Sequence, residues 1–441
     1  MQAGRALYKS ILWRSLYYLS LFVVNILIAR QFLPAASGKI FYISSIYSFF
    51  VMIMSFSIES GIVYFAAKGK LTIGKLLNFS LLWSLVAGLL IFCIIFFFLK
   101  KENNTIWDNT FLLVSSISFI CGNLLTTYCT GLFYARHNFV TPNGISITVN
   151  LALIILFPFN GHSLVPVISA ANFFYIYFIS FLLQGILLAI TVQIKYLKYR
   201  FEGLLTLPEF RLLFRYCSMA YLANIIFFLL YRVDYWFVER YCTPEQLGNY
   251  IQVSKLGQLF FILPAILASV VFPLTAGGQN EKIKNMLTLL SRSILFLYLF
   301  VCIILLLTGN WLFPFVFGKS FSGIYQPFLF LIPGILSLSC LFTVTAYYAG
   351  KNRMMVNIKG SVLSLIFIVT ADRIFIPVYG INAAAIISSM GYIIYQVYVL
   401  MIFKKEYRTS ISDFFIFRIA DWHDMKNIIL RSTKDYHEKQ Q

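Results

Sequence analysis

Five basic and three acidic residues fall inside long apolar stretches of the sequence: Arg14, Arg232, Lys255, Arg292 and Arg373, with Glu59, Asp234 and Asp372. A charge at the centre of a membrane helix costs about 2.5–3.5 kcal/mol on insertion scales, so such groups face a bundle interior or a water-filled cavity. The excess of cations suits an anionic ligand, because guanidinium and ammonium groups pair with phosphate through charge-assisted hydrogen bonds. Carboxylates in the same setting can exchange a proton or a metal cation. Glu59 and Asp234 are the candidates for ion coupling. Asp372 and Arg373 read as an interfacial structural cluster near the outer end of a helix.

Polar residues extend these positions into stripes. At about 100° per residue, Arg14, Tyr18 and Asn25 share one helical face, and so do Asn224, Tyr231 and Tyr235. Gln252, Lys255 and Gln258 recur every three residues. Arg14, Tyr18, Asn25, Asn224, Tyr231, Gln252, Lys255 and Arg292 are therefore the candidate substrate-binding residues. Interhelical hydrogen bonding is the competing use of the Asn, Gln and Tyr members. Arg292 could instead snorkel to the membrane surface.

Other chemistries find no support. The four His are scattered, and the seven Cys include no CxxC and lie mostly in apolar runs, so neither a metal site nor a disulfide framework is expected. Gly318-Lys319-Ser320 looks like the end of a phosphate loop, but Phe313 stands where GxxxxGK[ST] needs glycine. No nucleophile–His–acid set can be assembled. The expectation is a protein with no catalytic residues and no cofactor, and not an enzyme.

The elements that must hold these residues are membrane helices. Of 441 residues, 60% are hydrophobic and 12% charged, against roughly 45–50% and 25% in soluble domains. Twelve stretches are long enough to span about 30 Å of hydrocarbon: 8–29, 40–66, 76–99, 110–134, 143–160, 166–193, 217–239, 248–274, 288–308, 325–349, 357–378 and 381–403. The net charge of +19 lies mostly in short loops: with the N-terminus inside, 24 Lys and Arg fall on the cytoplasmic side and six opposite. That bias places both termini in the cytoplasm and assigns the charge to topology, not to nucleic acid. The tail 404–441 carries Ile411, Phe414, Phe415, Ile419, Trp422 and Ile429 near one helical face and reads as an amphipathic surface helix.

The sequence repeats itself. Residues 29–41 (ARQFLPAASGKIF) align with 239–251 (ERYCTPEQLGNYI), matching Arg30 to Arg240, Pro34 to Pro244 and Gly38 to Gly248. Residues 134–143 align with 348–357 through Tyr134 and Tyr348, Ala135 and Ala349, Asn138 and Asn352, Asn143 and Asn357. Two matches at nearly one offset give two six-helix halves: an N-terminal lobe (1–196), a cytoplasmic linker (197–216), a C-terminal lobe (217–403) and the tail. Parallel repeats of this kind suit alternating access to a site near mid-membrane.

The ordered set of motifs resembles the Wzx-type flippases, the O-antigen and teichoic-acid exporters of the MATE-like MOP superfamily. Ile28 to Gly38, Arg232-Val-Asp234, Leu247-Gly-Asn-Tyr250 and Leu263-Pro264 through Phe272-Pro273 carry it. Phe317-Gly318, Leu331-Ile-Pro333-Gly334 and Ala349-Gly350 extend it over about 1–405. Leu33 to Ser37 departs from the usual glycine and tyrosine. The resemblance implies an all-α polytopic fold of two six-helix lobes. It also implies a polyprenyl-diphosphate-linked oligosaccharide as substrate, flipped across a bacterial inner membrane for surface polysaccharide synthesis. Membrane lipids, a coupling H+ or Na+, and polymerase or other glycan-assembly proteins are the partners it suggests. Competing readings are a MATE-like exporter of small molecules, which would want an acid-rich cavity, and a membrane polymerase or assembly partner, which would want a large outer loop.

Overall fold

The computed structural model describes residues 2–99, 109–157, 170–200, 202–276, 280–407, 410–416 and 421. Among these the chain is nearly all helix, with no strand. The helices are α1 (Gln2–Ser55), α2 (Ile58–Ala67), α3 (Ile73–Leu99), α4 (Asn109–Ala135), α5 (Val140–Ile155) and α6 (Ala170–Val192). They continue as α7 (Leu207–Tyr241), α8 (Pro244–Leu259), α9 (Ile262–Ala276), α10 (Asn280–Phe317), α11 (Tyr325–Gly350) and α12 (Met354–Tyr407). Nine helices of the described residues are long and apolar enough to cross a membrane. Large side chains such as Leu85, Phe97 and Leu307 are exposed, as a lipid solvent allows. The chain is an all-α, multi-pass membrane protein.

Two expected spans share α1 and two share α12, and the bends have local causes. In α1, Leu33 sits at φ 60°, ψ 169° before Pro34. Proline removes a backbone donor and disfavours α geometry in the residue before it. The Ser37 hydroxyl donates to the Leu33 carbonyl at 2.6 Å, satisfying the acceptor at the bend. In α12 the bend is at Gly380, φ 63°, three residues after Pro377.

The second expected span, 40–66, breaks at Phe56–Ser57, where both residues have positive φ. No Gly or Pro marks this break. Side chains from elsewhere hold it open. Tyr221 donates to the Ile53 carbonyl at 3.0 Å, Trp83 to Met54 at 2.8 Å and Tyr128 to Ser55 at 3.1 Å. Asn224 donates to the Ser57 hydroxyl at 2.9 Å. Interrupted backbone inside a membrane is tolerated when protein groups satisfy it. The eighth span is also divided, with α9 starting two residues before Pro264, a position where proline costs little.

The chain forms two compact units, residues 2–31 with 42–225, and 32–41 with 226–441. In the first unit the connecting segment after α6 is fastened to α3. Glu202 accepts from the Gly74 N–H at 3.0 Å, Asn78 donates to the Gly203 carbonyl at 2.8 Å, and Lys75 pairs with Glu209 at 2.8 Å. The Lys75 hydrogen bond holds the Glu209 carboxyl at about 2, below its usual range. The pair therefore contributes stability above the ordinary carboxylate range and loses it as pH falls toward 2, and a pair this exposed is worth under about 1 kcal/mol.

The sequence repeat has a structural counterpart. α4 ends with Asn138 N–H donating to Phe133 O at 3.0 Å and His137 N–H to Tyr134 O at 2.9 Å. α11 ends with Arg353 N–H donating to Tyr348 O at 2.8 Å and Asn352 N–H to Ala349 O at 3.1 Å. His137 and Asn352 take the left-handed residue of each turn, the paired-bond geometry that terminates helices. The second turn falls one residue later than the aligned identities. The other repeat places its two glycines against each other. A Cβ on Gly38 would lie 2.5 Å from the Gly248 Cα, and one on Gly248 would lie 2.0 Å from the Pro34 carbonyl oxygen. Small residues are what permit such backbone approach in membranes.

Candidate functional site

The first unit has a half-open cavity of about 380 Å³, walled by α1, α2, α4 and α5. Arg14, Tyr18 and Glu59 all line it, so three of the predicted site residues are brought together. The Arg14 guanidinium lies 5.8 Å from the Tyr134 ring centroid. Glu59 enters from the first turn of α2, directly after the Phe56–Ser57 break. One of its carboxylate oxygens is buried with no hydrogen-bond partner. Thr126, Thr127 and Thr130 of α4 add hydroxyls to the wall, and Asn143 of α5 adds an amide. Deeper polar ties fix the helices around it: Asn150 donates to Ser20 at 2.9 Å, and Gln184 to Asn150 at 3.4 Å. Such satisfied networks rigidify their surroundings.

Asn25 and Asn224 do not line this cavity. Asn25 donates to the Leu21 carbonyl of its own helix at 2.8 Å, and Asn224 holds Ser57 at the helix break. A shared helical face indicated direction only; these bonds give both amides structural work.

In the second unit Asp234 is 2% exposed and heavily hydrogen-bonded. Tyr250 donates to its Oδ2, Ser388 donates to the same oxygen at 3.1 Å, and the Tyr235 N–H donates to Oδ1 at 2.9 Å. Asp372 lies close enough for the two carboxylates to interact electrostatically. It is fully buried, and neither of its carboxylate oxygens has a partner. The expected interfacial Asp372–Arg373 cluster is thus split: adjacent helical residues project about 100° apart, which turns Arg373 outward and Asp372 inward. Asp372 is the residue that sequence reasoning undervalued. Tyr231 borders this group through Tyr392, ring centroids 5.9 Å apart, and its buried hydroxyl has no partner. Among the described residues no three His, Cys, Asp or Glu cluster as metal ligands.

Gln252 is 1% exposed, with both amide atoms unpartnered. Lys255 places its ammonium 3.0 Å from the Phe41 ring centroid, a cation–π contact. Arg232 stands over the Phe228 ring at 5.3 Å and the Tyr235 ring at 6.0 Å, and its two-residue spacing from Asp234 keeps the two side chains from facing each other.

Arg292 is paired with Asp421 at 2.8 Å, the two side chains 9% and 3% exposed. It neither snorkels to water nor stands open to a ligand. Residues 410–416 also lie against this unit. Ile411–Phe414 makes a single 3-10 turn capped by Ser410, and Phe414 packs 5.3 Å from the Phe403 ring. Most of the expected surface helix, including Ile419, Trp422 and Ile429, lies outside the described residues. Removing one partner from a buried pair leaves an uncompensated charge, which local release of the tail would relieve. Asp421→Asn is expected to speed tryptic cleavage between 404 and 418 about tenfold, equivalent to about 1.4 kcal/mol of local opening. Unchanged cleavage would mean that the pair does not hold the tail.

Residues 26–326 match the model of a family described as polysaccharide biosynthesis protein. No curated protein matches the sequence. Solved structures with the same fold include the lipid II flippase MurJ in an inward closed conformation. It is 16% identical, with TM-score 0.71, over 92% of this chain and 89% of that one. The Vibrio cholerae MATE transporter VcmN in its bent form is 13% identical, with TM-score 0.63, over 93% and 98%. A MOP superfamily transporter from Pyrococcus furiosus, described as having a binding pocket of reverse polarity, is 12% identical, with TM-score 0.65, over 91% and 94%. The chain belongs to the polysaccharide biosynthesis protein family and carries the fold of the MOP superfamily.

Proposed function

We propose that the protein flips a polyprenyl-diphosphate-linked oligosaccharide from the inner to the outer leaflet of a bacterial cytoplasmic membrane. The observation that carries this reading is the cavity of the first unit: a cation, hydroxyls and an amide gathered between apolar helices, in a member of a polysaccharide biosynthesis family. Sugar hydroxyls and phosphate charge cannot enter hydrocarbon without replacement of their water. A polar, cationic wall supplies that replacement while the polyprenyl tail remains in lipid. Arg14 and Lys255 pair with phosphate as the substrate crosses. Twelve spans in two six-helix lobes rock between inward- and outward-open states, with both termini in the cytoplasm.

Two features are available to drive export. Moving one negative charge out of a cell with a negative interior is favoured by about 2.3 kcal/mol per 100 mV. The Asp234–Asp372 pair is suited to exchange H+ or Na+, since two buried carboxylates are not both left charged without a counter-ion. Glu59 is the corresponding carboxylate of the first unit.

Export of glycan by cells carrying Arg14→Ala or Lys255→Ala tests the substrate path. At membrane levels equal to wild type, each variant is expected to export at least about tenfold less, the rate equivalent of 1.4 kcal/mol. Wild-type export from either variant removes that residue from the path.

A further inference from the structure

The cavity of the first unit is lined by an acidic and a basic side chain that form no ion pair with each other. Arg14 and Glu59 both line it, yet neither joins any of the three ion pairs formed among the described residues. One oxygen of Glu59 is buried without a partner. A neutral sugar entering this space would strip water from both charges and compensate neither, an uncompensated burial that is strongly unfavourable. An anion alone would answer Arg14 and worsen the position of Glu59. A ligand that carries both an ammonium group and an acidic group answers both.

The rest of the wall fits the remainder of such a ligand. Thr126 and Thr130 are one helical turn apart, so their hydroxyls stand on the same face of α4 beside Thr127. They match sugar hydroxyls, which both donate and accept. The Tyr18 ring is 38% exposed and offers an apolar plate to a pyranose face. The volume, about 380 Å³, lies at the small end of ligand cavities, which suits one or two sugar rings of a longer glycan.

We propose that this cavity is a zwitterionic saccharide subsite: Glu59 receives a free amine on the sugar, and Arg14 receives an acidic group beside it. The proposal rests on the flippase reading and narrows its substrate to glycans whose lipid-proximal sugar keeps an unacetylated amine. The acidic group has two possible sources, the linkage phosphate or a carboxylate of the sugar itself, with the same chemistry toward a guanidinium.

Calorimetric titration of the full-length protein in lipid nanodiscs tests it, with four probes: glucosamine 1-phosphate, 2-amino-2-deoxyglucuronic acid, N-acetylglucosamine 1-phosphate and glucosamine. At least one of the first two is expected to bind about tenfold or more tightly than either of the last two. The tighter of the first two identifies the source of the acid. Glu59→Gln should erase the preference for the free amine and leave the preference for the phosphate. Arg14→Gln should do the reverse. Glu59→Asp and Arg14→Lys keep the charges and should retain part of each preference, which separates loss of recognition from loss of fold. Equal or tighter binding of N-acetylglucosamine 1-phosphate overturns the proposal, and so does no binding of any probe. Failure of the flippase reading would appear elsewhere, as an absence of trapped lipid-linked saccharide in depleted cells. The probes can fail while that accumulation stands.

Discussion

Gly248→Ala is expected to cost about 3 kcal/mol of stability, and Gly248→Leu to abolish folded protein. A Cβ at this position falls 2.0 Å from the Pro34 carbonyl oxygen, 2.6 Å from its carbon and 2.9 Å from its Cα. All three are backbone atoms of a proline turn and cannot rotate away. Overpacking costs about 1–3 kcal/mol when side chains can repack; here only separation of the two backbones relieves the clash. Gly38→Ala should act in the same direction, since its Cβ meets the Gly248 Cα at 2.5 Å and N at 2.7 Å. Gly144 is the control. Its nearest neighbour would be a Trp13 ring carbon at 3.7 Å, and alanine is favoured over glycine in a helix by about 1 kcal/mol. Thermal unfolding in detergent should therefore show a fall for Gly248→Ala and no fall for Gly144→Ala. Equal behaviour of the two would show that the helices are not held at this separation.

Asp234→Asn is expected to leave the protein folded while lowering export at least about tenfold and removing its dependence on an ion gradient. Asparagine keeps the shape: its single oxygen can still accept from the Tyr235 N–H while the Tyr250 and Ser388 hydroxyls turn to accept from its NH2, but it cannot carry the exchangeable charge. Asp372→Asn should have the same functional effect with less structural cost, because its oxygens hold no hydrogen bonds to lose. Asp234→Ala differs in kind. It orphans the Tyr250 and Ser388 hydroxyls, at about 1–3 kcal/mol for buried groups left unpaired. Export measured with the gradient intact and collapsed separates these cases. Wild-type gradient dependence in Asp234→Asn would place coupling elsewhere, with Glu59 the next carboxylate to examine.

Much of this was visible in the sequence because the signals are local. Apolar runs of about 20 residues locate helices without reference to tertiary contacts, and Pro34 with Pro244 marked the repeat. Arg14 and Glu59 stood out as charges within apolar runs and Tyr18 as a neighbour of Arg14 on one helical face, and all three line one cavity. What the sequence hid depends on distant partners. The Phe56–Ser57 break carries no Gly or Pro and exists because Trp83, Tyr128, Tyr221 and Asn224 satisfy it. Arg292 meets Asp421 across 129 positions, a pairing that no periodicity encodes. Asp372 was discounted because its neighbour Arg373 suggested a surface cluster, whereas one helical step separates inside from outside. Asn25 shows the converse limit: a residue on the right face can still spend its amide on its own backbone.

The most direct test of the flippase reading is made in the native host. The protein is depleted, lipid-linked saccharides are extracted, and the membrane face of their sugars is determined by accessibility to an impermeant reagent. Complete units should accumulate with their sugars facing the cytoplasm, and their mass would identify the glycan. Complete, unpolymerised units already facing outward would contradict flipping and indicate a polymerase or assembly role; no accumulation at all would indicate a different cargo.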